Sequence, residues 1–279
     1  MTILTKAFAV FLVVFCAWVV LLMKEAFAIQ PLPSVEYPSK KNTRVSIETT
    51  HESMNFPAQL LLPYKAEYDG FYNGKKVGTA YRELKKLAEN RYELIFSSHA
   101  KLLLFEDKRS ESIIFQINSS QLMPLKQTIE EKRPFKNKRT GEFSIDWKSG
   151  LEKGSFDGRQ WEVPHKKPVL EQVSQILQVR ADIFHEKPID TYLITKKGEV
   201  KSYDIKIVGS EFIKIGALEY ETIKVERMRS NSPRVTEIWL DKNRDFFPIR
   251  IRQLKDDKVQ ADLQLRSLDF LKVTSASTP

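Results

Sequence analysis

The stretch Tyr64-Lys65-Ala66-Glu67-Tyr68-Asp69-Gly70-Phe71-Tyr72-Asn73-Gly74 decides the fold class. Its first five residues alternate apolar and charged side chains, so an extended chain here has one greasy face and one wet face. Asn73-Gly74 then supplies two residues that tolerate the positive φ of a tight hairpin turn. A strand ending in such a turn predicts an antiparallel partner.

The same signals recur downstream. Tyr92, Leu94 and Phe96 make one face of a strand, as do Ile113, Phe115 and Ile117, and then Phe143, Ile145 and Trp147. Asp157-Gly158 joins Ser155-Phe156 to Gln160-Trp161-Glu162-Val163 as a second hairpin. Tyr203, Ile205 and Ile207 alternate, as do Ile223, Val225 and Arg227, whose long stem can cover apolar surface. Ile238-Trp239-Leu240, Phe246 to Ile251 and Ala261 to Leu265 follow, with Asp256-Asp257 turning the last pair. About a dozen short strands separated by turn chemistry predict an all-β, antiparallel sandwich, half-barrel or barrel over residues 64–271. One segment breaks the rhythm. Val169, Val173, Ile176, Leu177, Arg180 and Phe184 recur at helical spacing, and Pro188 ends the run. The expectation is one amphipathic helix lying on the sheet and capping its core. The alternative is a helix that plugs one mouth of a barrel and gates a ligand cavity.

Upstream, residues 29–63 hold Pro31, Pro33, Pro38, Pro57 and Pro63 among polar residues, the composition of an extended linker. Val45, Ile47 and Leu60 to Leu62 could add a short edge strand. Lys6 precedes an apolar run of 17 residues from Ala7 to Met23, and Ala26-Phe27-Ala28 follows. A positive start, an apolar stretch and a small-x-small site read as a secretory signal over residues 1–28, cleaved after Ala28. The alternative is an uncleaved inner-membrane anchor through residues 7–23, since the run approaches the roughly 20 residues of a spanning helix. Cys16 lies behind the bulky Phe15, which does not fit a lipoprotein signal. Localisation is therefore expected to be periplasmic. Residues 272–279 read as a polar tail.

Composition narrows the chemistry. Cys16 is the one cysteine, so the exported part has no disulfide, thiolate zinc site or cysteine nucleophile. Stability must come from an apolar core, which 17 Phe, 9 Tyr and a 42% hydrophobic content can supply. The formal charge of +9 would favour anionic lipid headgroups, glycans or acidic proteins over nucleic acid in an exported protein. No Gly-x-Ser-x-Gly elbow, zinc helix, Walker loop or dinucleotide turn is present, and His51, His99, His165 and His185 lack ligand spacing. No catalytic residue, metal or cofactor is therefore expected. The densest charge cluster is Lys126, Lys132, Arg133, Lys136, Lys138 and Arg139, with Phe135 among them. It reads either as an anion-binding patch for lipid or glycan phosphates, or as a solvated hairpin tip whose lysines protect a strand edge.

Several of these residues together resemble a known family. Tyr68-x-Gly70-x-x-x-Gly74-x-x-x-Gly78 with Arg91-Tyr92-x-Leu94 resembles the opening of bacterial domain-of-unknown-function family 3108. Leu122-x-Pro124-Leu125, Asp146-Trp147 and Val173-Ser174-x-x-Leu177-x-x-Arg180-Ala181 are similar to its later marks. So are Glu219 to Arg227, Trp239-Leu240 and Phe247 to Ile251, which carries the likeness from about Tyr64 to Phe270. Glu171-Gln172 stands where the resemblance implies an Asp-Pro or Asp-Lys helix start. The resemblance implies a periplasmic proteobacterial protein without established activity, and brings over no catalytic residues. Combined with the aromatic-rich strands, the expectation is an envelope protein that binds a lipid-like or amphiphilic ligand within a curved sheet. The alternative is a structural or assembly partner of an envelope complex, using sheet edges or the basic face. Membrane contact would come through an uncleaved signal or through the surface.

Overall fold

The computed structural model describes residues 55–271. The expected signal or anchor, the linker up to residue 54 and the polar tail lie outside the described residues. The strands are β1 (Tyr64–Tyr72), β2 (Lys75–Ala88), β3 (Arg91–Leu102), β4 (Phe105–Asn118), β5 (Gln121–Lys132), β6 (Arg139–Asp146), β7 (Leu151–Phe156) and β8 (Arg159–Pro164). After the two-residue β9 (Leu170–Glu171) and the helix α1 (Gln175–Phe184) come β10 (Thr191–Lys196), β11 (Glu199–Ile215), β12 (Leu218–Met228), β13 (Arg234–Asp241), β14 (Phe247–Lys255) and β15 (Lys258–Phe270).

All fifteen strands belong to one sheet, ordered β8-β7-β6-β5-β4-β3-β2-β1-β15-β14-β13-β12-β11-β10-β9. Every pairing is antiparallel except the short β9–β10 contact. The first and last strands meet in its middle, with Tyr64 opposite Phe270. The three turns read from sequence are present, with left-handed φ at Asn73 and Gly74, Asp157 and Gly158, and Asp256 and Asp257. Because consecutive strands run antiparallel, connections alternate between two ends of the sheet. One end carries the turns at 73–74, 103–104, 157–158, 197–198 and 256–257 and is called here the tip end. The other carries those at 89–90, 119–120, 147–150, 216–217 and 242–246.

A sheet this wide must twist and curl, and its two margins meet. No backbone ladder joins β8 to β9. Side chains bridge the gap instead. Thr195 on β10 donates to Glu152 on β7 at 2.6 Å, Gln127 on β5 donates to Glu171 on β9 at 3.0 Å, and Lys197 Nζ lies 3.3 Å from the centre of the Phe156 ring. The sheet is thus an unclosed, barrel-like wrap sealed along one seam.

α1 occupies the interior, and eight of its ten residues are buried. Leu177 and Ala181 join the large cluster that includes Leu84, Leu94, Ile113, Phe115 and Leu122, while Ile176, Val179 and Ile183 pack on Ile205, Val225, Ile238 and Leu240. The expected helix is present, but the sheet wraps around it where it was expected to rest on one face, so apolar side chains pack on two of its sides. Gln178 and Arg180 find their partners near the end opposite the tips. The Gln178 carbonyl accepts from the Leu122 amide at 2.8 Å, and Arg180 donates to the Asp245 carbonyl at 2.9 Å. The helix also starts later than its periodicity predicts, because Leu170 and Glu171 are held extended beside Ile194 and Thr195. Residues 55–63, expected as the end of a linker, pack onto the body: Phe56 and Leu60 are buried, and Ala58–Leu61 form a 3-10 turn in place of a strand.

Candidate functional site

The interior changes character along the barrel axis. On β4, Ile113 and Phe115 are fully buried, and the same inward alternation continues toward the tips through Glu111, Arg109 and Asp107. On β5, Pro124 adjoins a bulge that shifts the register, where a missing N–H is tolerated. Beyond it Gln127, Ile129 and Glu131 face inward. Along β4 and β5 the inward-facing side chains are therefore mostly charged or polar toward the tips and apolar toward the other end.

Glu131 is the hub of this charged end. It accepts from Arg133 at 3.1 Å, Arg139 at 2.6 Å and Lys197 at 3.2 Å. Burial works against its charge, but Lys197, Arg133 and Arg139 outweigh it and hold the carboxyl below its ordinary value. The Phe156 ring carries two of the same cations, Lys197 on it and the Arg139 guanidinium 5.3 Å from its centre. Arg109 pairs with the buried Asp107 at 3.0 Å.

Cations exceed anions there. Burial pushes Lys196 well below the usual lysine range, with Lys197, Arg227 and Arg109 adding repulsion against the attraction of Glu111. Lys196 donates to the Gln172 side chain at 2.7 Å. Arg227 donates to Thr236 Oγ1 at 3.2 Å and lies 5.3 Å from the centre of the Tyr203 ring. No carboxylate lies within ion-pair distance of it among the described residues. Burial lowers Arg234 too, with Arg229 and Arg109 contributing. Such an arrangement can take up an anion, since each added negative charge relieves like-charge repulsion in a partly desolvated site.

The six cations singled out from sequence are not all brought to one face. Arg133 and Arg139 turn inward to Glu131. Lys126 faces outward beside Glu142 at 3.2 Å and Lys138 beside Glu130 at 2.8 Å, while Lys132 and Lys136 are exposed. The strand alternation splits the cluster between the two faces of β5 and β6. Four residues not singled out from sequence, Glu131, Lys196, Lys197 and Arg109, complete the inner site together with Arg227, which was read from sequence only as a stem over apolar surface. One signal for them was present: Asp107, Arg109 and Glu111 keep step with Ile113 and Phe115, so charge occupies core positions.

Three histidines lie among the described residues and are separate from one another, and His51 lies outside them. His99 Nε2 lies 2.8 Å from Glu106 on the outer face, His185 meets the Asn55 carbonyl at 2.9 Å, and His165 is buried against Glu152 at 2.8 Å. Among the described residues no group of acids and histidines is arranged to hold a metal ion, and no helix is long and apolar enough to cross a membrane.

Comparison with solved structures places the wrap. It is similar to a crystal structure of a β-barrel-like protein of domain of unknown function DUF1849 from Brucella abortus, with a TM-score of 0.51 and 10% identity. The match covers 76% of this chain and 99% of that one, and shows a shared fold. No curated protein matches the sequence. The family described as protein of unknown function (DUF3108) matches residues 64–264, the span over which the motifs, the fifteen strands and the enclosed helix have just been traced. The chain belongs to the DUF3108 family.

Proposed function

We propose that this is an exported, non-enzymatic protein of the cell envelope that binds the anionic head of a lipid-like, amphiphilic ligand at the charged end of its curved sheet. The observation that carries this reading is the surplus of cations there. Arg133, Arg139 and Lys197 converge on the carboxylate of Glu131, Arg139 also reaching Asp157 at 3.9 Å, and no carboxylate among the described residues pairs with Arg227. Export rests on Lys6, the apolar run from Ala7 to Met23 and the Ala26-Phe27-Ala28 site. The absence of a readable catalytic set supports binding over turnover.

The test is calorimetric titration with a short-chain phosphatidylglycerol, kept below its micelle concentration, against the phosphatidylcholine of equal chain length. Saturable binding of the anionic lipid is expected, weakened at least about tenfold, or 1.4 kcal/mol, in Lys197→Ser/Arg227→Ser. Equal uptake of both lipids, or none, overturns the reading. A second reading, an assembly partner within an envelope complex, is favoured by the apolar side chains left exposed on and beside β11: Ile207, Val208, Phe212 and Leu218. A stoichiometric protein recovered by crosslinking through residue 212 would select it.

A further inference from the structure

We infer that the hairpin tips of β3–β4 and β5–β6 form a docking surface for an anionic lipid bilayer. Because β4 pairs with β5, the two tips stand side by side, and the Phe105 and Phe135 rings meet edge to face at 5.4 Å. Three large apolar side chains protrude from them: Leu103 is 79% exposed, Leu104 92% and Phe135 78%. No other large apolar side chain among the described residues is exposed to that extent.

The backbone makes the choice sharper. Leu103 sits at φ 55° and Phe135 at φ 56°, in the left-handed region where Asn, Asp or Gly is the ordinary occupant and a bulky side chain is strained. The corresponding positions of the other tip-end hairpin turns hold Asn73, Asp157, Asp256 and, at the seam, Lys197, so Leu103 and Phe135 are the two apolar occupants. Placing a leucine and a phenylalanine there works against local stability, and such departures mark function.

Charge selects the occupant. Exposed lysines surround the apolar tips. Lys108 and Lys138 are paired with Glu106 and Glu130 at 2.9 and 2.8 Å, but Lys101, Lys132 and Lys136 have no ion pair among the described residues. Apolar wedges on two narrow turns, ringed by unpaired lysines, match the layered chemistry of an anionic bilayer: a negative headgroup plane over hydrocarbon. A second copy of the chain would meet like charge. Two hairpin turns also present less area than the roughly 800 Å² per partner of a stable protein interface. The inference is independent of the proposed ligand at the inner site.

The experiment reads depth directly. In the full chain carrying Cys16→Ser, a nitroxide is attached at Asn137→Cys on the β5–β6 tip or at Asn243→Cys on the opposite end. Its accessibility to oxygen and to a water-soluble nickel complex is measured on vesicles of phosphatidylglycerol and of phosphatidylcholine. The label at 137 is expected to enter the headgroup–hydrocarbon boundary on phosphatidylglycerol alone, while that at 243 stays aqueous on both. Leu103→Asn/Leu104→Ser/Phe135→Asn, with residues suited to the left-handed turns, should keep its circular dichroism and lower the immersed fraction at least about tenfold. Lys101→Ser/Lys132→Ser/Lys136→Ser should remove the lipid selectivity. A label at 137 that stays aqueous on phosphatidylglycerol, or a folded triple variant immersed like the parent, overturns the inference. Lys197→Ser/Arg227→Ser should leave immersion unchanged, which separates this surface from the inner site.

Discussion

Glu152 shows how much can rest on one side chain. It has no solvent exposure, and its carboxylate accepts from Trp161 Nε1 at 2.7 Å and Thr195 Oγ1 at 2.6 Å, with His165 Nε2 at 2.8 Å. A buried carboxylate is tolerated only with such partners, and each partner would be stranded without it. Glu152→Ala is therefore expected to cost about 3–5 kcal/mol in urea unfolding. Glu152→Gln, which keeps an acceptor of similar shape, should lose much less. Equal losses for the two would mean that side-chain volume, not hydrogen bonding, is what matters there. Nothing in Leu151-Glu152-Lys153 announces this role. An exposed strand carboxylate has the same local sequence, and the difference lies in the three partners contributed from β8, β10 and the segment after β8.

At the scale of elements, the β9–α1 junction turns a side chain into a helix start. Glu171 accepts from the Val173 amide at 2.7 Å and from the Ser174 amide, although Ser174 at the N-cap makes no capping bond of its own. The periodicity of residues 169–184 places a helix correctly but cannot show that its first turn is replaced by this carboxylate. Burial pushes Glu171 from 4.5 up to about 7, with the two amide bonds opposing the shift. Between these values the folded protein holds a proton that the unfolded chain releases. Stability from this group is thus greatest at low pH, declines as pH rises from 4.5 to about 7, and is flat above. Unfolding free energies measured between about pH 5 and pH 8 should show that decline, and Glu171→Gln should flatten it. A variant with an unchanged slope would assign the pH dependence to other groups.

For the molecule as a whole, the seam is the weak point, because side chains close it and no ladder does. Gly198 shows how tightly the margins meet. Its φ is +76°, and a methyl group there would lie 2.5 Å from Trp161 Cγ across the seam. Gly198→Ala carries both a strained turn and a clash, so the β7–β8 margin should separate from β10 before the centre of the sheet unfolds. Native-state hydrogen exchange should quicken by at least about tenfold in β7, β8 and β10 while the β1–β15 pairing stays protected. Uniform acceleration would mean that the seam and the centre unfold as one unit. The similarity to the DUF1849 structure at 10% identity belongs to this scale as well: a curled antiparallel wrap can be kept by alternation and turn chemistry while nearly every side chain differs.

By itself the sequence determined the strands, the hairpin turns and the existence of one helix. Those follow from the two-residue alternation of side chains and from the few residue types that accept a left-handed turn, both local properties of the chain. The tertiary structure alone decided that the sheet wraps around the helix, that its margins meet at Glu152 and Gly198, and that Arg133 and Arg139 leave Lys132, Lys136 and Lys138 to join Glu131. Those outcomes depend on accumulated twist and on one register shift at Pro124. Each sets which face a distant side chain meets, and neither is written in the residues adjoining it.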